Sequence, residues 1–334
     1  MKTFSAHLDD AVCGLAWNAD DSLLIAGSAS GAVTLFRFTS DGATQTWLAH
    51  PMGLLALAVA GDHLATAGQD GTVKIWSLAT GELRHTLAAG KGWVEHLAFS
   101  PDGLLLATTC GKGLKIWDLR DKGGALLHEY AAHDSTLTGL SWRPDSRGVA
   151  VSFYGHVRLY RFPDLEPYED LTWKGSFISL AWSPNARYIS AGTQEASVNF
   201  WRLPYRQGDE LDMTGYATKV RELAWDPESR YLATGGGEKI TIWDVSGKGP
   251  SGTRPAELCT HLGRVSALAW QAAGPLLASG DADGLALIWH PAKTKREITG
   301  EKLDGSITKL QWANRSAWVA AGDVTGEISV LKIS

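Results

Sequence analysis

The chain has 334 residues and a formal net charge of −5, with 44% hydrophobic and 20% charged residues, the make-up of a globular protein and not of a disordered one. That charge gives no general attraction to nucleic acid or to an anionic membrane, so neither is expected as a partner. Cys13, Cys110 and Cys259 are odd in number and form no CxxC pair, which speaks against a disulfide framework or a structural zinc and for a reducing compartment, expected to be the cytoplasm.

The first element in chain order, KTFSAH at 2–7, has a lysine but no apolar run behind it and does not read as a signal peptide. Next come VCGLAW, LLIAG, VTLFRF and TQTWLAH, covering 12–50, four short strand-like runs separated by turn residues. The pattern then repeats. Its first strand recurs as LLALAV, VEHLAF, LTGLSW, FISLAW, VRELAW, VSALAW and ITKLQW. The last residues of the eight copies are Trp17, Val59, Phe99, Trp142, Trp182, Trp225, Trp270 and Trp312, spaced at the roughly 40–45 residues of a four-stranded propeller blade. After Phe99, Trp142, Trp182 and Trp225 the chain enters a turn with Pro second (SPDG, RPDS, SPNA, DPES), where proline presets the φ of a type I turn. The longest apolar run, Leu54 to Ala60, is too short to span a bilayer.

The segments His50 to Leu78 and His261 to Trp289, with Trp-Asp pairs at Trp117-Asp118 and Trp243-Asp244, resemble WD40 repeats. The resemblance runs along the whole chain, residues 1–334, and implies one all-β, closed β-propeller. Eight copies of the first strand predict eight four-stranded blades, with seven, the family's commoner number, as the alternative. The eighth copy ends at the C-terminus without a fourth strand, so KTFSAH is predicted to pair there and close the ring. The resemblance further implies a buried polar network of His, Ser/Thr, Asp and Trp in each blade. It is expected in full at His50, Thr66, Asp70 and Trp76, and at His261, Ser279, Asp283 and Trp289. His7 and His133 fall in the same His slot. Blades lacking the His or the Asp are expected to rely on packing alone.

For a WD40-like ring the ligand face is the rim where the first strands begin. Residues mapped there include Trp93 and Glu95, and the adjacent hairpin carries Phe153 and Tyr154, aromatics of the kind enriched at binding hot spots. For Trp93 the alternative is packing over its own blade in place of the missing His. Lys219, Arg221 and Arg264 form a basic sector on units six and seven, suited to an acidic peptide or a phosphate, unless Glu222 and Asp226 balance it. The rim offers one carboxylate, Glu95, and no His, and the sequence has no GxSxG, P-loop or HExxH motif. No catalytic residue, metal site or cofactor is expected. His96 reads as a core residue, and 245–258 as a Gly/Pro-rich loop on the opposite face. The leading expectation is a non-catalytic scaffold, monomeric on its own, that binds a protein or peptide on its rim. The alternative is a small-ligand or metal-linked site in the central channel, with Cys13 and Glu95 as its candidates.

Overall fold

Apolar runs of five or six residues, broken by Gly, Asp and Pro turns, are too short for stable helices and pair as antiparallel strands. The computed structural model describes residues 2–38, 44–120, 124–247 and 249–333. In it these runs form eight four-stranded antiparallel sheets, each joined to the next through its inner strand. From the channel outward, the first sheet is Val12–Trp17, Leu23–Ser28, Ala32–Arg37 and Thr44–Leu48. Second strands such as Gly148–Phe153 and Tyr188–Thr193 are buried at every position, because each sheet is covered on both faces by its neighbours. That burial explains the imperfect polar alternation of the sequence.

The ring closes with a strand from each end of the chain. Lys2–His7 pairs antiparallel with Glu327–Lys332, with His7 opposite Glu327 and Lys2 opposite Leu331. It also grips both neighbouring sheets. The Phe4 ring lies 5.3 Å from Phe36 of the first sheet, and the Lys2 ammonium is 2.9 Å from Glu301 of the seventh.

The aromatic anchors join one sheet to the next. Trp142, Trp270 and Trp312 donate their indole N–H groups to the carbonyls of Ala98, Ala224 and Ala269, at 2.8, 3.1 and 2.9 Å. Each acceptor is the residue just before the anchor of the preceding sheet. Trp17 makes the same bond across the closing seam, to Gln311 at 3.2 Å. Trp225 reaches Ala181 through a relay, donating to the Ser190 hydroxyl, which donates to the Ala181 carbonyl. At the far end of the seam the buried Asp21 carboxylate accepts from the backbone N–H groups of Asn314, Arg315 and Ser316 and from the Ser316 hydroxyl, at 2.7–2.9 Å.

The polar networks inside the sheets match expectation in one place and depart from it in others. The set in the second sheet is as expected. The His50 Nδ1–H donates to Asp70 at 3.0 Å, Thr66 Oγ1 lies 2.9 Å from His50 Nε2, and Trp76 donates to Thr66 at 2.9 Å. In the seventh sheet the His261 partner is Asp281, at 2.8 Å, and not Asp283, which is exposed. Side chains two apart on a strand share a face, so Asp281 points with Ser279 at His261. The second sheet has Gly68 at that place, where a Cβ would stand 2.2 Å from His50 Nδ1. His7 is exposed and outside the slot. Leu8 N–H bonds to the turn glycine Gly326 as Ala49 does to Gly31, so Asp9 falls where His50 does and accepts from Ser28 and Ser30 at 2.6 and 3.0 Å.

The incomplete blades do not rest on packing alone. Trp117 donates to Thr108 at 2.9 Å. Tyr160 replaces the Trp in the fourth sheet, with its hydroxyl 2.6 Å from His133 Nε2. In the sixth, Tyr216 stands in for the His, accepting from Trp243 at 2.9 Å and bonding Thr234 at 2.8 Å. In the eighth, Asp323 accepts from Gly305 N–H at 2.7 Å. The segment 245–258 is also not all loop. Ala256–Leu258 is the outer strand of the sixth sheet, with Val245 and Leu258 buried; Lys248 lies outside the described residues.

One network has an identifiable gap. Ala191 pairs with Asn199 as Thr66 does with Lys74 and Ser279 with Leu287, so it occupies the hydroxyl position of the fifth sheet. The fully buried Trp201 indole N–H therefore has no partner. Ala191→Ser adds one oxygen where the acceptor is missing and is expected to stabilise the fold by about 1 kcal/mol; an unchanged or lower midpoint in denaturant unfolding would show that the site cannot accommodate the bond.

Candidate functional site

Inner strands start and second strands end on one face of the ring, so the approach loops and the hairpins between second and third strands crowd together there. Large apolar side chains that would be core residues elsewhere are exposed on these loops. Trp93 is 56% exposed, Tyr154 61% and Leu262 81%, with Met52 and Val324 likewise exposed on the same face. Trp93 therefore does not pack over its own blade. Phe153 is different: it is fully buried, stacked on His156 and edge-on to His133. It is the last residue of a buried second strand and faces the fourth sheet's core, so it leaves the candidate binding set, while its neighbour Tyr154 begins the turn and points out. Met52, Leu262 and Val324 were not singled out from the sequence; the available signal was an apolar residue inside a polar turn.

The three cations all stand on the rim, and one also reaches the channel. Lys219 and Arg264 are exposed on the rim, and Arg264 lies 3.7 Å from Glu222. Asp226 does not balance them, because it caps the turn at the opposite end of its strand, accepting from Tyr231 N–H at 2.6 Å. Glu222 is buried, its carboxyl pKa raised by desolvation, and its Oε2 has no hydrogen-bond donor. Arg221 is exposed too and lines both the rim cavity beside Lys219 and Arg264 and the channel.

The channel is a cavity of about 730 Å³ bordered by Cys13, Glu95, His96, Arg221 and Lys309 among apolar and small residues. Inner strands bulge where they enter it, between Val12 and Gly14, Val94 and His96, and Ile307 and Lys309. An extra residue at each bulge re-aims the side chains there. Cys13 and Glu95 thus do face the channel, and His96 is a channel residue and not a core one. The Cys13 thiol is pushed up to about 11 by burial, while burial and the charges of Arg221 and Lys309 hold His96 down at about 4. Both are neutral near pH 7. Among the described residues, no group of three or more His, Cys, Asp or Glu side chains is placed to hold a metal, and no helix is long and apolar enough to cross a membrane.

The WD40 family model (WD domain, G-beta repeat) matches residues 1–37, 43–77, 81–118, 124–161, 210–244 and 252–290. The unmatched stretches carry most of the fifth and eighth sheets, which lack both the slot His and the hydroxyl that receives the Trp. Telomerase protein component 1 of Mus musculus is 25% identical over 97% of this chain, which spans 13% of that protein. The U3 small nucleolar RNA-associated protein 15 homolog of Xenopus tropicalis is 24% identical over 66% of the chain and 50% of its own length. Small ribosomal subunit protein RACK1 of Drosophila melanogaster is 26% identical over 42% of the chain and 46% of its own. The chain thus spans half or less of these relatives. The crystal structure of the computationally designed Ika8 protein superposes with a TM-score of 0.85 over 98% of both chains at 21% identity, a likeness of fold.

His50, His133 and His261 are buried and, like His96, held below the ordinary imidazole pKa chiefly by desolvation. The unfolded chain takes up these protons below about pH 6.5 and the folded chain does not. Stability is therefore expected to be full above about pH 6.5 and to fall as the pH drops below it. Melting temperatures measured across that range should decline toward acid; a flat profile would contradict the neutral, buried assignment of these imidazoles.

Proposed function

Because the chain belongs to the WD40 family (WD domain, G-beta repeat), we propose that it is a non-catalytic interaction scaffold whose loop-bearing face docks an apolar, acidic segment of a protein partner. The observation that carries this reading is the gathering of Met52, Trp93, Tyr154, Leu262 and Val324 on one face. Exposed aromatics on a rigid ring supply large buried area at small entropic cost, as at interface hot spots. The acidic character of the partner follows from Lys219 and Arg264, which flank Leu262 with the buried Glu222 as the nearest counter-charge. These rim cations act mainly on encounter rate and salt dependence, and the apolar anchors on residence time.

The relatives support a place in an assembly, being named as a telomerase protein component, a U3 small nucleolar RNA-associated protein homolog and a small ribosomal subunit protein. For this chain the net charge of −5 favours a protein over a nucleic-acid backbone as the direct partner. Unpaired cysteines suit the reducing cytoplasm.

The test is affinity capture with quantitative mass spectrometry on the wild type, a Trp93→Ala/Leu262→Asp variant and an outer-strand control, Leu126→Ser. The rim variant should lose the captured partners by about tenfold or more, the effect of roughly 1.4 kcal/mol, while the control keeps them. Equal capture by a rim variant with an unchanged melting temperature would refute the reading.

A further inference from the structure

The inner wall of the ring is built from small residues at one recurring position. Opposite the second strands stand Gly14, Ala56, Gly139, Ser179 and Ala267, while the equivalent places in the third, sixth and eighth sheets hold His96, Glu222 and Lys309. Small residues keep the channel open; His96 and Lys309 project into the space so left. Arg221 enters from the sixth sheet, so that three basic side chains from three separate sheets line one cavity of about 730 Å³. Lys309, Arg221 and Cys13 also line a second cavity of about 540 Å³ at the rim, which gives a way in.

These groups are close enough to act on one another, and the carboxylate that Arg221 acts on, Glu222, is within ion-pair distance of Arg264 and not of them. The charges bearing on His96 are those of Arg221 and Lys309, and with the Cys13 thiol neutral near pH 7 the charge bearing on Lys309 is that of Arg221. Glu95 lines the same channel but acts on neither. Among the described residues, neither the Lys309 ammonium nor the Arg221 guanidinium has an ion-pair partner. Lys309 is reached by water yet walled by protein, and that enclosure, with Arg221, lowers its pKa. Two cations lining one cavity beside a neutral imidazole repel each other, and an anion placed between them removes the repulsion while gaining charge-assisted hydrogen bonds.

We propose that the central channel is a binding site for a small phosphate-bearing anion, held between the Lys309 ammonium and the Arg221 guanidinium with the His96 imidazole as third partner. A tetrahedral oxyanion presents oxygens in several directions, which matches donors arriving from three sheets, and the guanidinium fork can engage two of them. The cavity exceeds a bare phosphate, so the natural ligand carries an additional polar body that meets Thr138, Ser179 and Glu95. The site is separate from the apolar docking residues of the rim, although Lys219 and Arg264 line its entrance.

Inorganic phosphate is the probe, added to the full chain while the His96 imidazole is followed by NMR and heat by calorimetry. Binding is expected to saturate and to raise the pKa of His96 by about one unit or more, as a nearby negative charge does. Lys309→Met and Arg221→Gln should each weaken binding by about tenfold or more, and each should raise the His96 pKa in phosphate-free protein. Lys309→Arg, which keeps the charge, should retain binding and guards against a simple folding defect. Trp93→Ala/Leu262→Asp should leave phosphate binding intact whatever it does to partner capture. No saturable binding, an equal response to chloride at matched ionic strength, or full affinity in Lys309→Met and Arg221→Gln would each overturn the proposal.

Discussion

The bond from an inner-strand tryptophan to the carbonyl of the preceding sheet sets the terms for the rest of the ring. Within a sheet, backbone pairing satisfies the strands; between sheets there is no backbone ladder, and register is left to side chains. The indoles of Trp17, Trp142, Trp270 and Trp312 each find the carbonyl just before the previous anchor. One large ring therefore fills the wedge between sheets and fixes their relative height. A buried indole of this kind contributes about 3–5 kcal/mol, mostly through packing. Where the anchor is Val59 or Phe99, with no N–H to give, the wedge is filled by packing alone.

A ring of such contacts has one seam that chain connectivity does not enforce, between the eighth sheet and the first. Several contacts reinforce it. Lys2–His7 completes the eighth sheet, Phe4 packs on the first, Trp17 bonds across, and Asp21 accepts four hydrogen bonds from the turn at 314–316. Desolvation of the Asp21 carboxylate opposes its ionisation, but the four donors outweigh it and leave its pKa lowered. The seam thus relies on a charged acceptor saturated by donors, a stronger device than neutral bonds.

Much of this was legible in the sequence because repetition multiplies a weak signal. Eight copies of one strand gave the number of sheets, and the leftover KTFSAH gave the closing strand. What stayed hidden turned on side-chain direction. Asp281 and Asp283 both lie near His261 in sequence, and only strand parity separates them. Phe153 and Tyr154 are neighbours, but a strand end buries one and a turn exposes the other. The shift that puts Asp9, and not His7, in the slot depends on which residue bonds the turn glycine. Tyr216 in the sixth sheet defied motif reading because a phenol can serve where the pattern asks for an imidazole. Arg221 stands with the rim cations, as its place at the start of the inner strand suggests, and its reach into the channel as well has no sequence mark.

Holding the sheets in fixed register keeps two surfaces in place: a loop face with exposed aromatics and cations, and a channel lined by His96, Arg221 and Lys309. Both depend on closure, since an opened seam would let the first and eighth sheets part and would move Cys13 away from Lys309 and Arg221. The measurement that bears most directly on this account is hydrogen exchange by mass spectrometry on wild type and Asp21→Ala. Loss of the carboxylate leaves three backbone N–H groups without an acceptor, at about 1–3 kcal/mol each if they stay buried. The account predicts faster exchange concentrated in Lys2–His7, Val12–Trp17 and Ile307–Trp312, with the fourth and fifth sheets unchanged. Exchange unchanged at the seam, or raised evenly around the ring, would contradict it.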